Sequence, residues 1–189
     1  MAESPAGVLA DILVLGSVPK GKAVLRSGAH VGDFVYVTGT LGASVATLEL
    51  LREGKKLRRT AHQRHFYPDP RLDVGRYLRE RQLASAMIDT SDGLSVDLQH
   101  VCEESGVGAV VYTESLPSVA GPKGLEFALH GGEDYELLFT AAPSKHLPDG
   151  IDGVRLTRIG EIVRGKEVKV ATADGRLRKL KVGGWEHFR

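Results

Sequence analysis

The chain has 189 residues, 42% of them hydrophobic and 26% charged, which is enough for one sizeable core and typical of an ordinary globular protein. Lys and Arg total 25 against 24 for Asp and Glu, so charge gives no reason to expect nucleic acid or an anionic membrane as partner. A single cysteine, Cys102, excludes a disulfide within the chain, and with no apolar run of about 18 residues and no signal-peptide pattern a cytoplasmic location is expected.

Residues 1–5 carry no periodic pattern. Residues 8–14 read as a β-strand, closed by Gly16 and a turn at 19–22, and this strand comes too early to have a hairpin partner before it. After Arg26-Ser27-Gly28-Ala29, a Gly32-Asp33 turn leads into the β-branched and aromatic run Phe34-Val35-Tyr36-Val37, a buried strand. Thr38-Gly39-Thr40-Leu41-Gly42 then introduces a helix over 43–52, with Val45, Leu48 and Leu50 or Leu51 inward and Gly54 at its end. A strand, a Gly/Thr-rich turn and a helix can cradle phosphate, although the spacing is neither that of a P-loop nor that of a dinucleotide fingerprint.

Residues 52–64 are basic (Lys55, Lys56, Arg58, Arg59, Arg64) and read as a solvated helix face, since no aromatic is interleaved to stack on bases. His62 and His65 have no cysteine or acidic third ligand in their segment and read as surface or capping residues. Asp69 and Pro70 suit the N-cap and first position of the next helix, which presents Leu72, Gly75 or Tyr77, and Leu78 on one face.

The chain is organised around Ile88-Asp89-Thr90-Ser91-Asp92-Gly93-Leu94. Two carboxylates stand three residues apart, with a hydroxyl between them, where the apolar segment 83–88 ends and a helix begins. Leu94, Leu98, Val101 and Cys102 recur at i, i+4, i+7 and i+8, one helical face, so Ser91 or Asp92 is expected at the N-cap. Free N–H groups at a helix start suit phosphate, and magnesium usually takes one or two carboxylates and completes its shell with substrate oxygens and water. The same residues are also common turn and capping chemistry, so spacing leaves both readings open.

Residues 105–108 break that helix, 109–112 form a strand, and 123–129 suit a helix. The motif His130-Gly131-Gly132-Glu133-Asp134-Tyr135 follows, and a strand over 136–140. Paired glycines permit close backbone approach, and Glu133 stands where loop meets strand, as a binding residue or as a solvated acid in a tight turn. The last third reads as strands at 155–162, 167–171 and 177–182, with hairpin signals at Arg164-Gly165 and Asp174-Gly175. Trp185, behind Gly183 and Gly184, either covers a core edge or stacks on a planar ligand.

Gly32-Asp33 with 36–42, His65 with Pro68-Asp69-Pro70-Arg71, the Asp89 motif, Gly131-Gly132-Glu133-Asp134-Tyr135-Glu136-Leu137 and Gly184-Trp185-Glu186-His187-Phe188 occur in this order. Together they closely resemble the thiamine-monophosphate kinase family, part of the aminoimidazole ribonucleotide synthetase-like superfamily that also holds a hydrogenase maturation factor. The resemblance implies an α+β fold, a mixed β-sheet with packed helices, forming the carboxy-terminal domain over 31–189. Residues 1–30 would then be a leader and the remnant strand of a missing amino-terminal domain.

The implied activity is ATP-dependent phosphorylation of thiamine monophosphate to thiamine diphosphate with Mg2+. By motif position Asp89 and Asp92 would hold the metal, Arg26 and Ser91 would contact ATP, and Glu133 and Trp185 would contact the thiamine phosphate, with no catalytic nucleophile required. The implied partners are ATP, thiamine monophosphate and a separate amino-terminal half or a second copy, with neither nucleic acid nor membrane. The alternative is a truncated, non-catalytic domain that at most binds thiamine phosphates.

Overall fold

The structure, a computed structural model, describes residues 13–183. In chain order the elements are β1 (Phe34–Thr38), α1 (Ala43–Arg52), α2 (Gln63–Phe66), α3 (Leu72–Glu80), β2 (Ala86–Asp89), α4 (Leu94–Ser105), β3 (Gly108–Tyr112), α5 (Gly124–His130), β4 (Leu137–Ala141), β5 (Gly150–Ile151), β6 (Val154–Val163), β7 (Val168–Ala171) and β8 (Leu177–Lys179). The strands join in the order β2-β4-β1-β6-β3-β7-β8, with β5 paired to β6. Every pairing is antiparallel except β3 with β7, so the expected α+β fold on a mixed sheet is what forms.

The sheet is apolar on both faces where it carries the site, which explains why its strands read as continuous apolar runs rather than alternating ones. Val35 and Val37 of β1, Ala86 and Ile88 of β2 and Leu138 of β4 pack into one cluster with Leu94, Leu98, Val101 and Cys102 of α4 and Ala128 and Leu129 of α5. The intervening residues Tyr36, Met87 and Phe139 face the other way, onto Val74 and Leu78 of α3. The predicted face of α4 is therefore buried as expected, and burial pushes the Cys102 thiol up to about 12, leaving it a small core residue. Gly106, left-handed at φ 68, ends that helix, and the Val107 N–H returns to the Cys102 carbonyl at 3.0 Å.

Several local expectations are corrected. The 8–14 strand lies largely outside the described residues, and Leu13 and Val14 are exposed without regular structure. Helix α3 begins at Leu72, beyond Asp69 and Pro70, because the Asp69 carboxylate pairs with Arg71 at 3.0 Å instead of capping. The basic segment is an excursion containing only α2 and a 3-10 turn at Arg59–Ala61, not a continuous helix face. His62 and His65 hold it to α1, with Nδ1 atoms 3.2 Å from the Thr47 hydroxyl and 2.9 Å from the Ser44 hydroxyl. The buried residues of α1 are accordingly Ser44 and Thr47, while Val45 and Leu48 are half-buried. Arg164-Gly165 does not close a hairpin, since β3 lies between β6 and β7, whereas Asp174-Gly175 does join β7 to β8. Strand β8 ends at Lys179, short of the predicted 182.

Candidate functional site

Strand β2 leaves the sheet beside the point where β4 enters it, with Asp89 opposite Leu137. This antiparallel register brings the two punctuated motifs together, and the backbone stitches them. Thr90 N–H donates to the Glu136 carbonyl at 2.8 Å, Tyr135 N–H to the Thr90 carbonyl at 3.0 Å, and Glu133 N–H to the Ser91 carbonyl at 2.8 Å. The Glu136 N–H adds a bond to the Thr90 hydroxyl at 3.1 Å. The glycines are explained by this closeness: a Cβ on Gly132 would stand 2.6 Å from the Ser91 carbonyl oxygen, and one on Gly93 3.0 Å from that of His130. Glu133 and Tyr135 both take left-handed backbone, at φ 62 and φ 51, a conformation that costs residues with side chains free energy.

At both helix starts facing this junction, carboxylates the sequence did not single out accept backbone N–H groups. The expected capping role of Ser91 or Asp92 passes to Gly93, at φ 113, and to Asp97 from inside the helix: its Oδ2 accepts the N–H groups of Asp92 at 3.2 Å and Gly93 at 3.1 Å. Burial first, then the charges of Asp92 and Asp89, push the Asp97 carboxyl up to about 7. At α1 the Asp134 carboxylate accepts from Gly42 N–H at 2.6 Å and Ser44 N–H at 3.2 Å. The turn over 38–42, which could have cradled phosphate, is thus filled by the protein's own carboxylate. Burial pushes Asp134 up to about 6, against those two hydrogen bonds.

Two clefts open at the junction. One, of about 730 Å³, is walled by Pro68, Pro70, Arg71 and Leu72 and has Asp89 and Tyr135 on its lining. The other, of about 570 Å³, is lined by Ser91, Asp92 and Glu133 on one side and by Val45, Leu48 and Arg52 of α1 on the other. Tyr135 borders both, and its phenol is raised by burial and then by the charges of Glu133, Asp89 and Asp92. Asp89, Ser91, Asp92 and Glu133 are therefore gathered at one strand end, with Asp89 on a different cleft from the other three.

Arg26 is exposed on the segment that runs beside β2, where the Leu25 carbonyl accepts Met87 N–H at 2.9 Å, and it lines neither cleft. Trp185 lies outside the described residues, the last of which, Gly183, donates its N–H to the Ser95 hydroxyl at 3.4 Å, next to His130.

Sequence reading missed Glu136. It is fully buried, and its carboxylate receives Arg71 through Nε and Nη2 at 2.8 Å each, Arg64 through Nη1, and the Thr38 hydroxyl at 2.5 Å. Burial alone would raise its carboxyl, but the hydrogen bonds from Arg71 and Thr38 and the Arg64 charge hold it below the usual range. The available signal was a lone acid heading a buried strand, which needs a cation, with Arg64 and Arg71 as candidates.

Among the described residues no group of three or more His, Cys, Asp or Glu side chains is arranged to hold a metal ion. Asp89 and Asp92, on neighbouring clefts of one strand end, both act on Asp97 and Tyr135, and a hard cation that keeps water and phosphate oxygens would relieve those like-charge effects.

Comparison with known proteins agrees with this architecture. The profile of the AIR synthase related protein C-terminal domain family matches residues 30–172. The thiamine-monophosphate kinase of Salmonella typhimurium is 40% identical over 189 aligned positions, covering 92% of this chain and 58% of the relative. The crystal structure of the thiamine-monophosphate kinase of Stenotrophomonas maltophilia superimposes with a TM-score of 0.75 at 36% identity, covering 85% of this chain and 56% of that one. AaThiL complexed with AMPPCP and TMP does so with a TM-score of 0.75 at 38% identity, covering 87% and 54%. The chain thus spans little more than half the length of these relatives. It belongs to the AIR synthase related family as that family's C-terminal domain, and within the family it is similar to the carboxy-terminal region of thiamine-monophosphate kinases.

Proposed function

We propose that this chain supplies the carboxy-terminal part of an ATP-dependent thiamine-monophosphate kinase, which passes a phosphoryl group to the phosphate of thiamine monophosphate and yields thiamine diphosphate. The observation that carries the reading is the stitched junction of the Asp89 and Glu133 motifs, which sets carboxylates, a hydroxyl and two clefts at one strand end. Phosphoryl transfer depends mainly on positioning and on charge offset at the phosphates, and no covalent nucleophile is required. Asp89 and Asp92 are assigned to Mg2+, which when bound supplies positive charge beside the phosphate oxygens. Ser91 and Arg26 are assigned to ATP, and Glu133 and Trp185 to thiamine monophosphate, a carboxylate and an indole suiting its cationic thiazolium and its pyrimidine ring. A cytoplasmic setting belongs to the same reading.

Because the chain spans little more than half of its relatives, turnover is expected to need an amino-terminal half, from a separate chain or a rearranged assembly of copies. The second reading, supported by the same span, is a non-catalytic domain that binds thiamine phosphates. Thiamine diphosphate formation from ATP, Mg2+ and thiamine monophosphate, with and without an added amino-terminal half, separates the two. The Asp89→Asn, Asp92→Asn double variant serves as blank. It is expected to keep its melting temperature and lose magnesium-dependent AMPPCP binding, and unchanged binding would remove the metal assignment.

A further inference from the structure

Glu136 lines neither cleft. Its carboxylate ties three segments together: the end of β1 through Thr38, the basic excursion through Arg64, and the approach to α3 through Arg71. The backbone is shaped around it. Gly39, at φ 59, passes so close that a Cβ there would collide with the carboxylate, so the end of β1 admits a residue without one. Arg71 is itself almost wholly buried, and with Pro68 and Pro70 it forms the wall of the Asp89 cleft. On its main chain Glu136 exchanges two bonds with Thr90, the residue between Asp89 and Ser91.

We infer that Glu136 is a positioning residue: its carboxylate holds Arg71 in the wall of the Asp89 cleft and ties Arg64 and Thr38 to it, and its main-chain bonds to Thr90 pass that anchorage to the turn that carries Ser91 and Asp92, setting ligand affinity at both clefts without touching a ligand. A buried carboxylate gripped from three sides is costly to remove, since the nearly buried Arg71 is left without its anion, so the wall must move outward to solvate it. An ion pair with a purely structural role would lower melting temperature and leave affinity unchanged below it. The identity of the ligands rests on the function proposed above; the coupling of carboxylate to junction does not.

The test uses the full chain with Glu136→Gln, Glu136→Asp and, as a destabilised control away from the site, Ile159→Val in the core of β6. Calorimetry with thiamine monophosphate and with Mg2+-AMPPCP, well below every melting temperature, is paired with hydrogen exchange at the amides of Thr90, Glu133 and Tyr135. Glu136→Gln is expected to weaken both ligands by roughly tenfold or more and to lower protection at those amides by a similar factor, because small displacements of positioned groups carry large losses. Protection in β3 stays unchanged, Glu136→Asp recovers part of the loss, and Ile159→Val changes neither affinity nor junction protection. Unchanged affinity and exchange in Glu136→Gln, or losses matched by the control, would overturn the assignment. If the unaltered chain binds neither ligand, the proposed function fails, and exchange at the junction decides the role of Glu136 by itself.

Discussion

Replacing Glu133 with glycine should make the protein more stable and less able to bind. Glu133 holds φ 62, a left-handed conformation costing a residue with a Cβ about 1–2 kcal/mol. Glycine removes that cost and gives back about 0.5–1 kcal/mol through its freer unfolded chain. The side chain is exposed, so little burial is lost, and the N–H bond to the Ser91 carbonyl survives the change. Removing the acid also relieves repulsion among Glu133, Asp89 and Asp92, whose charges already act together on Tyr135. The net expectation is a gain of about 0.5–1 kcal/mol, equivalent to about 1–4 °C in melting temperature for a chain of this size. Urea unfolding and a thermal melt read the stability, and calorimetry with thiamine monophosphate reads the function. A lower melting temperature would show that the conformation is not strained, and unchanged affinity would remove Glu133 from the binding site.

Asp134→Ala leaves two N–H groups at the start of α1 without their acceptor and should cost about 2–4 kcal/mol by urea unfolding; a loss well under 1 would mean that water replaces the cap. The pH dependence has a defined sign. Asp134 is raised from 3.8 to about 6, so between these values the folded chain keeps a proton the unfolded chain has released, and stability falls as pH rises through that window, by at most about 3 kcal/mol. Asp134→Asn should remove this part of the slope in melts from pH 4 to 7, leaving the fall of the same sign due to Asp97; an unaltered slope would show that Asp134 titrates normally. Gly132→Ala drives a Cβ to 2.6 Å from the Ser91 carbonyl and should part the two motifs, costing about 1–3 kcal/mol by urea unfolding along with most ligand binding, and retained affinity would show that the junction yields.

Local pattern carried most of the fold. Leu94, Leu98, Val101 and Cys102 announce one buried helix face because the period of a helix is written in adjacent turns, and the apolar runs of β1, β2 and β4 announce a sheet covered on both sides. The insertion of β3 between β6 and β7 was not legible, since a Gly-containing turn has the same composition whether the next strand pairs with the last one or crosses a neighbour. Caps were misread for a related reason. Asp92 stands in the sequence position of an N-cap, but the acceptor comes from Asp97 one turn further on, and that of α1 comes from Asp134, 92 residues from Gly42. Glu136 was hidden by the same distance: its partners Thr38, Arg64 and Arg71 are 98, 72 and 65 residues away.

The electrostatics of the junction bear directly on how a phosphate ligand can be held there. A helix start left open would attract an anion unaided, but at α1 Asp134 already accepts the Gly42 and Ser44 N–H groups, and beside the start of α4 Asp97 accepts those of Asp92 and Gly93, placing an acid there. Asp89, Asp92 and Glu133 surround the same strand end, and Arg64 and Arg71 have their guanidinium groups turned onto Glu136. A bare polyphosphate approaching this end of the sheet meets like charge on Asp89, Asp92 and Glu133. Its affinity is therefore expected to depend on a divalent cation shared with the aspartates and on basic groups not turned onto Glu136, such as Arg52 on the wall of the second cleft.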